Sequence, residues 1–301
     1  MANLREIKKR ITSTTSMKQI TRTMEMVSTA KIRRALERAY AAEPYKDALT
    51  DVMLTVAQDA EAAGDAPLLA RHDAERRVLV VAIASDRGLA GGFNVGVARE
   101  AEKIMHACAE KGEEVELITC GRKPTEYFSR RANVVMHFEG SSAEPTLEQA
   151  RMIASYITHG YTSGDFDRVE VIYHHAKNRV DQVLRVEHLL PLDTEMVALA
   201  RGPRKNEDEA PTRISSSFAF VPSAEVVLGN LVSSYVLTVI HQALIDSAAS
   251  EQGARRKAMH SATDNATAII ATLTRTYNRV RQASITTEIN EIVGGANALE
   301  E

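Results

Sequence analysis

The chain has 301 residues, of which 44% are hydrophobic and 26% are charged, an ordinary balance for a soluble protein. Its net charge of −3 is too small to select a class of partner. The length allows two domains, or one domain with extended elements. Aromatic residues make up only 5% and tryptophan is absent, so alanine and methionine supply much of the apolar surface. This composition favours narrow helix–helix interfaces over a thick core.

The two cysteines, Cys108 and Cys120, lack the spacing of a metal site and have no neighbouring histidine. We interpret them as reduced structural thiols, and a redox pair is the alternative. The sequence indicates no uninterrupted apolar run near the ~18 residues of a membrane span. The N-terminus is basic but carries no apolar signal region, so we interpret it as part of the mature structure.

Residues 1–43 contain neither glycine nor proline, and their apolar positions recur every three or four residues. This spacing predicts a first helix of about 55 residues that ends near Ala60 and tolerates Pro44, a length that no compact core buries. The apolar positions fall into three sets whose phase shifts from one to the next, which predicts a loosely wound helix pair. The sets are Leu4, Ile7, Ile11; then Met17, Ile20, Met24, Val27; then Ile32, Ala35, Ala39.

This first helix is strongly basic. Residues 1–40 contain ten Lys or Arg and three Glu, a net charge of +7. A solvated helix face, an acidic partner surface and nucleic acid are the three interpretations. Nucleic acid is disfavoured because no aromatic residue precedes Tyr40 and no binding motif is present.

Residues 75–192 alternate between apolar runs and helical patterns, which predicts an α/β sheet with right-handed crossovers. The fifth strand is predicted to be antiparallel to the fourth. Strands are expected at 78–84, 114–120, 134–138, 168–173 and 183–192, with helices at 95–111, 123–130 and 146–161.

A glycine-rich loop, residues 85–94, follows the first strand, where doubly wound folds bind the phosphates of a dinucleotide. Its glycines match neither G-x-G-x-x-G nor G-x-x-x-x-G-K-[ST], and the second strand ends in Thr119-Cys120-Gly121 without the expected acid. We interpret the glycines as serving a tight turn, and a dinucleotide-dependent enzyme is the alternative. His174 and His175 are adjacent in a strand and point to opposite faces, so they do not form a metal pair. The sequence indicates no cofactor.

The polar segment 200–217 is predicted to be an exposed linker. From Pro222 to Gly294-Gly295 the spacing is helical over about 70 residues, a rod of roughly 100 Å that needs a partner. Residues 281–298 carry only a narrow stripe, Ile285, Ile289 and Ile292, so we expect a single helix that enters a cavity of another protein. An antiparallel interface with the first helix is predicted at Met259, Ala262, Ala266, Ile269, Leu273, Thr276, Val280 and Ala283.

Three separated motifs in this order resemble the gamma subunit of the F-type ATP synthase, bacterial type. They are the C-terminal run 285–298 (ITTEINEIVGGANA), the N-terminal run 18–31 (KQITRTMEMVSTAK) and the loop 85–94 (SDRGLAGGFN). The resemblance extends over the whole chain. It implies an antiparallel two-helix coiled coil of the N- and C-terminal helices, with an inserted Rossmann-like α/β domain that binds no nucleotide.

The resemblance also implies a function. The chain would be a non-catalytic rotor subunit of the central stalk, peripheral to the membrane at the cytoplasmic face of the bacterial inner membrane. It would transmit torque between the membrane c-ring and a ring of three alpha and three beta subunits, with the epsilon subunit as a further partner and no role for nucleic acid. The implied domains are a coiled-coil helix (1–62), the α/β domain (75–195), a linker (196–220) and a second coiled-coil helix (221–301).

Partner contacts follow by motif position. The ring is expected to contact Arg281, Gln282, Thr286 and Glu288, and an acidic lever of beta is expected to face Met24, Lys18 and Lys31. Phe218 and Phe220 stand where the family often has tyrosine and glutamate that contact the c-ring and epsilon. Their contribution would be apolar.

Overall fold

A computed structural model describes residues 4–57, 72, 76–140, 142–178, 181–192 and 224–300. In the sequence, one long helix precedes a five-stranded α/β segment and another follows it. In chain order the elements are α1 (Leu4–Ala57), β1 (Arg77–Ile83), α2 (Phe93–Lys111), β2 (Glu114–Cys120), α3 (Arg122–Phe128), β3 (Asn133–Phe138), α4 (Leu147–Thr162), β4 (Arg168–Ala176), β5 (Gln182–Leu190) and α5 (Ala224–Glu300).

The sheet has the strand order β3-β2-β1-β4-β5. The first four strands are parallel, and β5 runs antiparallel to β4. The predicted five strands and the direction of the fifth are therefore confirmed. β1 lies at the centre, and Val78 to Ala82 have no exposed surface, because helices cover both faces of the sheet.

One face of the sheet packs against α2 and α3, and the other packs against α4, α5 and Met53 of α1. Val232, Val236 and Ile240 of α5 belong to this second core and have no exposed surface. The α5 segment next to the sheet is therefore a core helix, which explains why its sequence is more apolar than the rest of α5.

The expectation of no membrane-span-like run needs a correction. Among the described residues, the α5 segment Gly229–Val293 contains an 18-residue window with a mean hydropathy of 1.2, enough to pass as a span by length and composition. Of that window, 67% is buried inside the protein. Packing against the sheet accounts for this apolar character.

The chain forms two compact units. One unit combines Met1–Thr29 with Arg255–Glu301, and the other contains Ala30–Ala254. In the first, the start of α1 runs beside the second half of α5. In the second, the remaining parts of both helices pack with the sheet. Divisions at 62, 75, 195 and 221 along the chain remain a prediction, and the linker at 196–220 lies outside the described residues.

The predicted end of α1 near Ala60 lies outside the described residues, whereas the predicted end of α5 at Gly294-Gly295 is wrong. α1 continues through Pro44, as expected, and is described to Ala57. α5 passes through Gly294-Gly295 and ends at Glu300, which corrects the predicted stop. Glycine lowers helix stability by about 1 kcal/mol relative to alanine. That cost does not by itself end a helix that has already run for many turns.

Candidate partner-binding surfaces

The first unit is an antiparallel helix pair whose register is fixed by two polar contacts. The Oγ1 atoms of Thr21 and Thr263 lie 2.8 Å apart. Nδ1 of His260 lies 3.0 Å from Oε1 of Glu25. Moving forward along α1 therefore means moving backward along α5. Leu4, which precedes Thr21, lies opposite a residue near position 280.

The interface on α1 follows one unbroken heptad pattern, and this corrects the predicted phase shifts. The pattern that begins at Leu4, Ile7 and Ile11 continues through polar residues into the third apolar set. Thr21 and Ser28 are only 9% and 2% exposed. Short side chains at these positions let the helices approach closely, and the hydroxyl group of Thr21 contacts both Thr263 on the opposite helix and the carbonyl oxygen of Lys18. The positions are 4, 7, 11, 14, 18, 21, 25, 28, 32, 35 and 39.

The second predicted set on α1 faces outward as a result. Met17, Ile20 and Val27 are 59%, 60% and 51% exposed, and we call these three residues the outer stripe. Their spacing of three and seven residues places them on one face of the helix. Met24 belongs to the same row but is half-buried beside the interface. The outer stripe is an apolar surface without a described partner in the chain, the type of surface that proteins use to bind other proteins.

The two predicted basic contacts on α1 differ in position. Lys18 lies at a heptad position and is half-buried, whereas Lys31 is exposed. Exposed ion pairs on the same helix, Arg10–Glu6 at 2.8 Å and Arg33–Glu37 at 2.9 Å, offset only part of the positive charge. Such pairs are worth about 0.3–0.5 kcal/mol. The exposed face of α1 therefore remains basic around the outer stripe.

The interface on α5 also departs from prediction at two positions. Met259 and Ala266 are buried as expected, at 5% and 4% exposure. Ile269 is 51% exposed, and the neighbouring Ile270 lies partly inside. Likewise Ser284 is half-buried, whereas Ala283 is exposed. The covered positions 259, 263, 266, 270, 273, 277, 280 and 284 keep a regular heptad spacing, so the contact face of α5 is centred one residue later than predicted at every second position.

The end of α5, residues 281–300, extends past the first residue of α1, and we call it the C-terminal tip. All described side chains from Ile285 to Val293 are exposed. Ile289 and Ile292 are 53% and 72% exposed. The predicted contact residues of the C-terminal tip are likewise exposed: Arg281, Gln282, Thr286 and Glu288. In the part of the chain that the structure describes, no other element covers this apolar stripe, and such a bare stripe is typical of a partner-binding surface.

The crevice that would hold a dinucleotide is filled by side chains of the chain itself. In this sheet the strand order reverses between β1 and β4, the place where such folds bind ligands. There the rings of Phe93 and His174 stack with centroids 4.4 Å apart. Burial lowers the pKa of His174 to about 4, so its imidazole is neutral. Ser85 and Asn94 close the preceding loop through a 2.8 Å hydrogen bond.

Metal and thiol chemistry find little support in the described part of the chain. There, no group of three or more His, Cys, Asp or Glu side chains is placed to hold a metal ion. His174 and His175 face opposite sides, and His175 pairs with Asp246 at 2.7 Å. Both cysteines are free and buried. Burial raises the pKa of Cys108 to about 11 and that of Cys120 to about 12, which keeps both thiols protonated.

The remaining predicted contacts, Phe218 and Phe220, lie outside the described residues. The outward direction of Met17, Ile20 and Val27 was not predicted. The signal was available, because extending the heptad from Leu4, Ile7 and Ile11 without a shift places all three on the opposite face. That heptad is not visible from the apolar residues alone, because several of its positions are polar.

Comparison with known proteins identifies the family. A family model described as ATP synthase matches residues 3–299. The ATP synthase gamma chain of Anaeromyxobacter sp. (strain Fw109-5) is 42% identical over 305 residues and that of Geobacter sp. (strain M21) is 38% identical over 300 residues, with 100% of each chain covered in both cases. The chain belongs to the ATP synthase gamma chain family.

Solved structures share the fold of this gamma chain. A chain of the Euglena gracilis mitochondrial ATP synthase, from a structure of OSCP, F1 and the c-ring, gives a TM-score of 0.63 at 18% identity, covering 98% of this chain and 94% of that one. A chain of the central stalk and c-ring of Tetrahymena thermophila ATP synthase gives 0.61 at 23% identity, covering 81% and 99%. The combination of two long helices and a five-stranded sheet is therefore a shared architecture.

Proposed function

We propose that this gamma chain is the rotating shaft in the central stalk of a proton-translocating F-type ATP synthase. It transmits torque between a membrane c-ring and the catalytic sites of a ring of three alpha and three beta subunits, and it carries no catalytic site of its own. The observation that carries the proposal is the C-terminal tip. A helix that leaves its partner and continues as an exposed, narrow-striped rod fits the lumen of a surrounding ring.

Two surfaces contact the ring in this proposal. At the C-terminal tip, Arg281, Gln282, Thr286 and Glu288 offer charged and hydrogen-bonding groups that are exposed in the chain alone. On α1, Met24 and Lys31 border the outer stripe, and the net positive charge of this helix suits an acidic lever of beta. Lys18 contributes charge from the edge of the helix interface, because it is half-buried there.

At its other end the chain meets the membrane motor in this proposal. Phe218 and Phe220 would contact the c-ring and the epsilon subunit through apolar surface, without the acid that the family often places there. The protein would then be a peripheral membrane protein at the cytoplasmic face of the bacterial inner membrane. The relatives' shared name supports the complex, and the membrane face is inferred from their bacterial sources.

The two alternatives from the sequence gain no support. A dinucleotide would compete with the Phe93–His174 stack for the crevice at the reversal of strand order. Nucleic acid would have to use the basic face of α1, which has an apolar stripe at its centre and not the stacking aromatic residues of single-strand binders. Titration of the chain with NAD(P)H, and a mobility-shift assay at low salt, test each alternative directly.

The proposed contact between the C-terminal tip and the ring is tested by changing Arg281 and Gln282 together to alanine. Both side chains are exposed, so folding should be unaffected. ATP synthesis in inverted membrane vesicles should fall by about tenfold or more, since arginine is enriched among interface hot spots, whose truncation costs about 2 kcal/mol or more. The matched control is Arg151→Ala with Met152→Ala, two exposed residues on α4. Fully assembled complexes that synthesise ATP at the wild-type rate would refute the assignment of these contacts.

A further inference from the structure

Asp86 is the second residue of the glycine-rich loop, and its carboxylate joins three segments at the carboxyl end of the sheet. Its Oδ1 accepts hydrogen bonds from the backbone amides of Arg122 at 2.9 Å and Gly140 at 2.8 Å. Its Oδ2 accepts one from the amide of Ser142 at 2.9 Å. Arg122 follows β2, and Gly140 and Ser142 follow β3. One side chain thus satisfies amides from the loops after two neighbouring strands.

These amides form the donor set of an oxyanion site. In α/β folds, backbone amides at the carboxyl ends of the strands bind phosphate and other anions. Here three such amides converge within 3 Å of two oxygen atoms that belong to the protein itself. Burial alone would raise the pKa of Asp86, but the amides of Gly140, Ser142 and Arg122 lower it below the ordinary value of 3.8. The group is therefore an anion at physiological pH.

The carboxylate is held in place and is still reachable from water. The Asp86 amide donates to Oγ of Ser142 at 3.0 Å, which ties the backbone to the same segment that its side chain contacts. On the preceding residue, the Ser85 amide donates to Oδ1 of Asn94 at 3.0 Å. Asp86 is nevertheless only partly buried. A small anion could thus reach the amides if the carboxylate were removed.

We propose that Asp86 is a built-in substitute for a bound oxyanion: its carboxylate occupies the position at which this sheet edge would otherwise bind a phosphate or carboxylate group. The loop motif at residues 85–94 then has a structural role within the α/β domain. The internal anion keeps the loops after β1, β2 and β3 together and occupies the amides of Arg122, Gly140 and Ser142, which are then not available to a nucleotide phosphate. This role is independent of the shaft function, because it concerns the α/β sheet alone.

The test is chemical rescue of Asp86→Ala in the full chain. Loss of three hydrogen bonds to a charged acceptor should lower the Tm by roughly 4–10 °C. Sodium formate, which has the size of the missing carboxylate, and inorganic phosphate should each raise the Tm of this variant saturably at millimolar concentration. Sodium chloride at matched ionic strength should not. Wild type and Asp47→Ala, which removes an exposed acid on α1, are the controls and should show no saturable response.

A second variant separates loss of the anion from loss of side-chain volume. Asp86→Asn fills the same space but presents a neutral group to the amides, so formate should not rescue it. If Asp86→Ala is insoluble, the same comparison is made by refolding it with and without formate and measuring the soluble yield. An Asp86→Ala chain as stable as wild type, or formate and phosphate effects equal to those on Asp47→Ala, would overturn the proposal.

Discussion

The direction of the outer stripe can be tested with two isoleucines of the same helix. Ile32 is 3% exposed and Ile20 is 60% exposed. Truncating a buried isoleucine to alanine costs about 2–5 kcal/mol. We therefore expect Ile32→Ala to lower the Tm of the isolated chain by roughly 5–15 °C. Ile20→Ala should change stability by less than about 0.5 kcal/mol, since its side chain is mostly in water and alanine is the better helix former.

The same pair predicts the opposite order for assembly. Complete burial of an isoleucine is worth about 1.5–3 kcal/mol, and the ring could still cover the 60% of Ile20 that is exposed. That fraction corresponds to about 1–2 kcal/mol, a loss of roughly five- to thirtyfold in affinity per residue. Replacing Met17, Ile20 and Val27 together by alanine should therefore prevent stable assembly at low concentration.

The assays are thermal unfolding of the isolated chain, followed by circular dichroism, and titration of the chain into purified alpha and beta subunits, followed by mass photometry. If Ile20→Ala lowers the Tm as much as Ile32→Ala does, Ile20 packs in the helix interface and the unbroken heptad is wrong. If the triple variant assembles with wild-type affinity, the outer stripe is not covered by the ring.

Two further predictions concern the sheet. Burial lowers the pKa of His174 to about 4, so the unfolded chain binds more protons than the folded chain between pH 6.5 and 4. The free energy of unfolding should therefore fall by up to about 3 kcal/mol as the pH falls through this window. His174→Phe should weaken this pH dependence in denaturant titrations at several pH values, and an unchanged dependence would contradict the prediction. Gly121→Ala places a Cβ 2.6 Å from the carbonyl oxygen of Ala84 at a φ of +107°, so it should cost about 2–4 kcal/mol. Gly112→Ala has open space at a φ of +75° and should cost only about 1 kcal/mol; equal losses by urea unfolding would refute the steric argument.

The sheet was predictable because its signals are local. β1 and β4 are short runs of apolar, β-branched residues between turn residues, and burial on both faces requires that pattern. The antiparallel direction of β5 followed from the short polar connection after His175. The start of α2, expected at Val95, was less predictable, whereas its end at Lys111 is as predicted. It begins at Phe93, inside the glycine-rich loop, because that ring packs on His174, a tertiary contact that no local pattern reports.

The helix interface was predictable in kind but not in phase. Apolar spacing indicated two long paired helices, and the register of Thr21 with Thr263 bears out their antiparallel arrangement. The predicted phase is wrong at Ile20 and Val27, which were expected inside the interface and are exposed. Apolar spacing alone assigns apolar residues to the helix interface. A pair of helices that also binds other proteins can instead place small polar residues inside the interface and apolar residues outside it.

That distribution of residues has a consequence for stability. Thr21 and Ser28 in the interface contribute little apolar burial, while Met17, Ile20 and Val27 leave more than half of their surface in water. Each buried CH₂ group is worth about 0.8 kcal/mol. The helix pair therefore has less stability of its own than its length suggests, and a partner that covered the outer stripe would supply the difference. Binding and shaft rigidity are then thermodynamically linked, because any partner that binds only the paired helices stabilises that pairing.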